Sequence, residues 1–481
     1  MANRLTYQRI SDTRPVHNNE KTRGKMDTLR ALDPAHSQTV KELEAAGVRY
    51  VTASWVDILG RNRAKSHPVE YLPQLMAGFA RYTPRGINGI GAMDPVEEEV
   101  TALPDLDTLT VLPWDKRFAW MAADMWSDRG EPFSLCPRSI LKRQIAKAAE
   151  QGYQATLGIE PEFYVYRPEN LSAEGFGELT ATGAVEPSPA YDVETLYDVS
   201  AFLDDAVTTM KEIGLNAFAM GAEGGVNQFE IDFFYKDLLE MADRVTLFRL
   251  MMHQVAKKHG LAVSFMPKPF ANLWGSGAHF NIGLYEHGKP EESVLRIGGS
   301  SVCGEDEWSK ESKYFVGGLL KHARALTAIT NPLVNSYKRL TPRLVDGSVS
   351  WAPIKIAYGP NNRSCMIRLP ENRPAIEVRN PDASANVYLA GAFLLAAGLD
   401  GIANEIDPGP AMTELASERD EIPRLPRTLL EAIEAFEEDE LTYDVFGEDF
   451  IKDYTNTKRD EWERDHLPVS DRERTDNLVY F

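Results

Sequence analysis

The chain has little cysteine: Cys136, Cys303 and Cys365 are its only three, widely spaced and with no CxxC pair. That pattern excludes a disulfide framework and a thiolate metal centre. Positive charge is also scarce. Against 72 Asp and Glu there are 52 Lys and Arg, a net charge of -20, so the basic footprint of a nucleic-acid binder is missing and docking on anionic membranes is disfavoured. No apolar run approaches the ~20 residues that span a bilayer. The first thirty residues are polar and charged, without the apolar core of a signal peptide. Neither a Walker loop nor a GxGxxG opening a helix occurs, so both standard nucleotide cradles are absent. What remains is the profile of a cytoplasmic enzyme. Hydrophobic residues are 43% and charged residues 26% of the chain, ordinary for a globular protein, and the length allows two or three domains.

Composition divides the chain. Residues 1–35 carry few apolar anchors and are expected to form a flexible tail. Residues 36–135 alternate like short strands, with a helix ending at Gly47 and another near Tyr71 to Gly78, which predicts a small mixed domain. From 136 to 481 the pattern predicts a larger α+β domain. PRSILKRQIAKAAEQGY reads as a helix with Pro137 at its start and Gly152 past its end. TLGIEPEFYVY, FEIDFFY, LAVSFMPKP and GAHFNIGLY read as strands. TLFRLMMHQVAKKHG, KYFVGGLLKHARALTAITNP and VYLAGAFLLAAGLDGI read as helices. No internal repeat is visible, and the acidic run Glu434 to Glu440 is expected to be a solvated helix face.

Four constellations carry polar chemistry. Glu160 and Glu162 in GIEPEF point to one face of a strand, since side chains alternate with period two; close carboxylates suit a hard divalent cation, although an isolated ExE is also common on a solvated edge. Gln228 and Glu230 share a strand face, and the glycines before them let Glu223 fold back beside them or form a plain surface loop. His279 follows a Gly-Ser-Gly turn and opens a strand, as a ligand or as a packed histidine. Arg339, Arg363, Arg368 and Arg379 can fork onto carboxylates or phosphates, or form surface ion pairs; Glu377 lies two residues before Arg379 on one strand face. Each is weak alone. Together they supply acidic oxygens, an imidazole and guanidiniums, the equipment of phosphoryl transfer to a carboxylate.

The order of GIEPEF, E-x6-E with Gln228, MPKP, GSGxH, NSYKRL, NNRSxxIR and ExRxPD through to LAAGLDGI resembles the glutamine synthetase superfamily, from the small domain to Asp407. That resemblance implies an N-terminal β-grasp domain and a catalytic domain with a curved antiparallel sheet and helices. It further implies two stacked rings of subunits in a homo-oligomer with active sites between neighbours. It implies Mg2+ or Mn2+ as cofactor, with Glu162, Glu223 and Glu230 around one ion and Glu160, His279 and Glu377 around a second. ATP is the implied co-substrate, with Tyr235 near the adenine and Arg363 and Arg368 at the transferring phosphate. Arg339, Arg379 and the Gly275 backbone would hold glutamate, with Tyr191, Trp274 and Trp351 completing the substrate site. The implied reaction forms γ-glutamyl phosphate, which an amine then attacks.

The sequence also departs from that pattern. The family's flap glutamate, in a Glu-Ala-Pro segment after YKRL, is here Trp351 in SWAP. The acid of a DGSS-like loop is missing from the stretch Arg85 to Gly91, and the Asn of the Asn-Gly-Ser-Gly loop is Trp274. Basic residues are absent at Asn372 and Ala375, and the segment after Gly409 lacks the tyrosine that some bacterial relatives adenylylate. An ammonium cage without its anions and with two indoles suits an apolar or π-faced amine. The SWAP flap resembles the γ-glutamylamide synthetase branch, which points to a bulky or aromatic monoamine such as aniline first, and a short alkylamine second. Ordinary glutamine synthesis and an inactive structural or sensing paralogue are the competing expectations.

Overall fold

The computed structural model describes residues 35–84, 99–179, 189–296 and 308–480. The expected tail before Ala35, the stretch Arg85 to Gly91 and Cys303 lie outside the described residues.

The small domain opens with helix α1 (Ala35–Ala45) and strands β1 (Tyr50–Val56) and β2 (Asn62–Pro68). Helix α2 (Leu72–Met76) follows, with Pro73 in its first turn, where the missing N–H costs nothing. Strands β3 (Arg81–Tyr82), β4 (Val100–Pro104), β5 (Thr110–Val111) and β6 (Phe118–Trp126) complete a six-stranded sheet ordered β2-β1-β6-β4-β3, with β5 on β6. The pairs are antiparallel except β1 with β6, the parallel pair that a grasp-like sheet needs. Its own core includes Val51, Met121 and Trp55, whose indole stacks on Tyr82 at 4.2 Å.

The large domain begins at helix α3 (Pro137–Glu150), which Gly152 closes at φ +86°. A ten-stranded sheet follows: β7 (Tyr153–Tyr166), β8 (Ala217–Ala222), β9 (Gln228–Phe233), β10 (Lys236–Asp237), β11 (Ala262–Ser264), β12 (Ala278–Glu286), β13 (Lys289–Ser293), β14 (Tyr358–Pro360), β15 (Ile367–Leu369) and β16 (Ile376–Val378). Its order is β14-β15-β16-β12-β7-β9-β8, antiparallel except for β14 with β15. Around it stand α4 (Val193–Asp198), α5 (Ser200–Glu212), α6 (Leu238–Lys258), α7 (Lys310–Lys321), α8 (Ala323–Thr330), α9 (Ser336–Arg339), α10 (Val387–Ala403), α11 (Leu429–Glu438), α12 (Glu440–Phe446) and α13 (Glu448–His466). Helix α10 is apolar and buried on all sides from Val387 to Leu399. It meets α7 backbone to backbone: a Cβ on Gly318 would lie 2.0 Å from the Ala397 carbonyl oxygen, so glycine is required there.

Three expectations need correction. KYFVGGLLKHARALTAITNP is two helices, α7 and α8, parted at His322. The buried His322 ring turns to two carboxylates, Asp439 at 2.7 Å and Asp400 at 2.9 Å. The acidic run is solvated at Glu434, Glu438 and Glu440, but Asp439 serves His322 and Glu437 pairs with Arg459 at 2.5 Å. Of LAVSFMPKP, only Ala262–Ser264 is strand; the prolines turn the rest into loop.

The two domains are joined by a buried cation. Arg138, 3% exposed, donates to Asp105 at 2.8 Å and Asp124 at 3.2 Å in the small domain. It also donates to both oxygens of Asp243, on α6, at 2.9 Å. The Tyr388 hydroxyl donates to the same Asp243 at 2.6 Å.

Candidate active site

Alternation along the strands of the large sheet separates core from site. Ile159, Phe163, Phe229, Ile231, Phe280, Ile282, Ile376 and Val378 are all at most 2% exposed, on the helix-covered face. Their neighbours Glu160, Glu162, Gln228, Glu230, His279 and Glu377 take the opposite face. Register brings them together: His279 sits opposite Glu160, Glu230 opposite Glu162, and Glu377 opposite both Asn281 and Arg368. Glu223 joins because its N–H donates to the Gln228 carbonyl, closing the β8–β9 hairpin.

A cavity of about 310 Å³ lies over this face. Glu160, Glu162, Glu223, Glu230, His279, Gly275, Tyr191, Trp274, Trp351, Arg339, Arg363, Arg368 and Arg379 all line it. Glu377 lies beneath, fully buried, holding Arg368 at 2.6 Å and Arg379 in a short ion pair. Tyr235 stands apart, in a smaller slot of about 100 Å³ with Phe218 and Tyr285, which meets the main cavity at Glu160, Asp232 and Arg373.

The electrostatics are those of crowded carboxylates. Burial, reinforced by Glu162, pushes the Glu223 carboxyl up to about 7. Burial and then Asp232 and Glu223 push Glu230 well above the usual range, and burial with Glu160 raises Asp232 to about 6. Glu160 behaves oppositely: burial opposes its charge, but His279, Arg373 and Asn281 outweigh it and hold the carboxyl at about 2. Glu162 accepts from the Gly277 N–H at 2.8 Å and from Gln228 at 3.1 Å. Negative charge thus accumulates at Glu223, Glu230 and Asp232 beyond what the neighbouring side chains neutralise, which is the condition that a bound cation relieves. Glu160, Glu230 and His279 offer ligand atoms within 4.8 Å of one another. This group straddles the two ion sets that the family resemblance implied, so the two sets form one continuous acidic floor.

The opposite wall is cationic and aromatic. Arg339, 5% exposed, reaches from α9 and donates to the carbonyls of Asn380 at 2.8 Å and Arg379 at 3.3 Å. Arg379 donates through Nε to the Arg363 carbonyl at 3.0 Å. Trp274 and Trp351 meet edge to face, centroids 6.2 Å apart and planes at 71°. The Trp274 indole lies over Gly224, where a Cβ would come within 3.0 Å of the ring. Tyr164 fixes its backbone, donating to the Trp274 carbonyl at 2.6 Å, and the Lys268 ammonium donates to the Leu273 carbonyl beside it.

Four residues of the site were missed in the sequence. Asp232 and Asn281 continue the alternations Gln228–Glu230 and His279, a signal that was available. Lys268 sat inside the MPKP motif without a role. Arg373 is the least obvious: flanked by the non-basic Asn372 and Ala375, it reaches Glu160 at 2.9 Å and Glu377 at 3.2 Å.

Comparison with known proteins agrees with this geometry. Residues 134–476 match the model of the glutamine synthetase catalytic domain. The chain is 35% identical over 424 residues to a glutamine synthetase of Rhizobium meliloti, covering 86% of this chain and 93% of that one. It is 33% identical over 463 residues to a glutamate–methylamine ligase of Methyloversatilis universalis, covering 94% and 100%. A solved structure of GmaS in complex with ADP superposes with a TM-score of 0.81 at 32% identity, covering 92% of this chain and 99% of that one. A buried acidic floor under a wall of arginines, in a chain matched along most of its length, places this protein in the glutamine synthetase family of ATP-dependent ligases that join glutamate to an amine.

Proposed function

We propose that this enzyme ligates the γ-carboxylate of glutamate to a substituted monoamine, a bulky or aromatic one such as aniline. The observation that carries the proposal is the indole pair Trp274–Trp351 in the cavity wall. Indole faces favour apolar or aromatic groups by area and by stacking, and offer ammonium no carboxylate. A short alkylamine is the second reading, favoured by the glutamate–methylamine ligase relative that the chain covers end to end.

The chemistry has two steps. A γ-carboxylate oxygen attacks the γ-phosphorus of ATP, the bond to ADP breaks, and γ-glutamyl phosphate forms. The amine nitrogen then attacks the acyl carbon, the bond to phosphate breaks, and the nitrogen loses one proton as the amide forms. Arg339, Arg379 and the Gly275 backbone hold glutamate; Arg363 and Arg368 face the transferring phosphoryl group, whose charge their guanidiniums neutralise. The slot of Phe218, Tyr235 and Tyr285 takes the adenine. Glu160, Glu162, Glu223, Glu230, His279 and Glu377 would hold divalent cations, Mg2+ or Mn2+, which when bound supply Lewis-acid neutralisation of the ATP phosphates. In this reading the site is completed between neighbouring subunits of a homo-oligomer of two stacked rings, whose mass light scattering measures.

The test is glutamate- and Mg-ATP-dependent phosphate release with ammonia, methylamine, isopropylamine, putrescine and aniline. Aniline is expected to give the highest kcat/KM. Methylamine ranking first turns the assignment to the second reading, and ammonia ranking first overturns both.

A further inference from the structure

The cavity does not end at Trp351. The indole is 55% exposed, and with Ser350 and Arg363 it also borders a second chamber of about 500 Å³ on its far side. Val349 and Leu415 complete the apolar wall of that chamber at 38% and 37% exposure. Large apolar side chains lining an open hollow beside an active site are the signature of a ligand subsite.

Several polar groups of the same wall are already engaged, the Arg363 guanidinium and the Thr413 hydroxyl not among them. Asn361 accepts from the Arg368 guanidinium at 3.0 Å. Asn362 accepts from the Ser364 hydroxyl at 2.7 Å and donates to the carbonyls of Met412 and Glu414 at 3.0 and 2.8 Å. Ser364 in turn accepts from the Ala416 N–H at 3.0 Å. Glu414, on the rim, is ion-paired with Arg419. These bonds tie the 359–364 loop to the 412–416 segment, so this side of the wall is built in advance and its amides and Ser364 hydroxyl ask nothing of an occupant.

We propose that this chamber is the subsite for the substituent of the acceptor amine, and that it selects an uncharged apolar substituent larger than methyl, an aryl, n-alkyl or arylalkyl group. The inference rests on the glutamate–amine ligase reading above and adds where the tail goes and what it is. With the reacting nitrogen beside the two indoles, a tail passing the edge of Trp351 enters the chamber and covers Val349 and Leu415. A methyl group leaves most of that volume empty. A terminal second ammonium gains little from Glu414, which Arg419 already neutralises, and loses hydration against the apolar wall.

The full-length enzyme is assayed for glutamate-dependent phosphate release with ammonia, methylamine, propylamine, hexylamine, 2-phenylethylamine and 1,6-diaminohexane. From hydrophobic transfer, kcat/KM is expected to rise about three- to fourfold per methylene until the chamber fills. Leu415→Trp, which narrows the chamber, and Leu415→Asp, which charges it, are each expected to cut the hexylamine-to-methylamine ratio of kcat/KM about tenfold or more; Leu415 is partly exposed, so both fold. A flat series in the wild type, or an unchanged ratio in both variants, with methylamine still turned over, overturns the subsite. Diaminohexane outperforming hexylamine overturns the uncharged class. Turnover of ammonia with methylamine silent removes the substituted-amine reading and the subsite together, and that silence tells it apart from the other outcomes.

Discussion

Trp351 stands edge-on to Trp274, ring centroids 6.2 Å apart, at the place where the two loops that carry them converge over the cavity. The two rings come from segments 77 residues apart in the chain (351 − 274), and each is held by its own loop. Tyr164 anchors one through the Trp274 carbonyl, and the other hangs from a hairpin in which the Arg343 guanidinium donates to the Gly347 carbonyl at 3.0 Å.

Replacing one indole by a carboxylate should therefore change which amine is used rather than whether one is used. Trp351→Glu is expected to lower the kcat/KM ratio of aniline to ammonia by about tenfold or more, about 1.4 kcal/mol of discrimination. An unchanged ranking in steady-state assays of the variant would reduce the indole to packing.

Glu230→Gln separates catalysis from stability. Glu230 faces Glu162 across the β7–β9 pair in a site with surplus negative charge, so removing its charge relieves repulsion while keeping shape. Amide formation is expected to fall at least about a hundredfold, the midpoint of thermal unfolding without added metal should not drop, and the rise in that midpoint on adding Mg2+ should shrink. A normal Mg2+ response in differential scanning fluorimetry contradicts a ligand role for this residue.

Arg339→Lys keeps a charge and loses the fork. The buried Arg379 carbonyl loses its side-chain donor, which costs about 1–3 kcal/mol if left unsatisfied, while the Asn380 carbonyl keeps the Asn331 amide at 2.7 Å. The glutamate KM is expected to rise about tenfold or more with a smaller change in kcat. A KM that stays put while stability falls assigns the residue to the scaffold alone.

Much of this site is legible in the sequence because the sheet has one wet and one dry face. In GIEPEF and FEID, every second residue is a carboxylate and the intervening ones are large and apolar, and that alternation survives unchanged as cavity wall and core. Arg373 was invisible for the opposite reason. Its neighbours break the basic pattern, and only the approach of the 370–375 loop to β7 and β16 puts its guanidinium on Glu160 and Glu377. The break at His322 was equally hidden, since Asp400 and Asp439 lie far along the chain and helix periodicity carries no trace of a partner in another helix.

His322 gives stability a pH dependence of defined sign. Burial opposes its charge, but hydrogen bonds to Asp439 and Asp400 outweigh burial and raise its affinity for the proton above the ordinary value of about 6.5. A raised folded-state value means that its contribution is complete below about 6.5 and is lost as pH rises through the folded value. The stability difference between wild type and His322→Asn, from urea melts, is expected to be larger at pH 5.5 than at pH 9. An equal or inverted difference would show that the imidazole is neutral in the fold.

Arg138 has a consequence for how substrates get in. Parting the small domain from the large one would break the Arg138 bonds to Asp105 and Asp124 and leave those charges to be rehydrated, or stranded in a dry seam. Hinge opening between domains, a common entry route in closing enzymes, therefore has to break this charge cluster. The short hairpin just before Trp351 is the contrasting element: its tip residue Val345 is 75% exposed and, among the described residues, no such charge cluster ties it down.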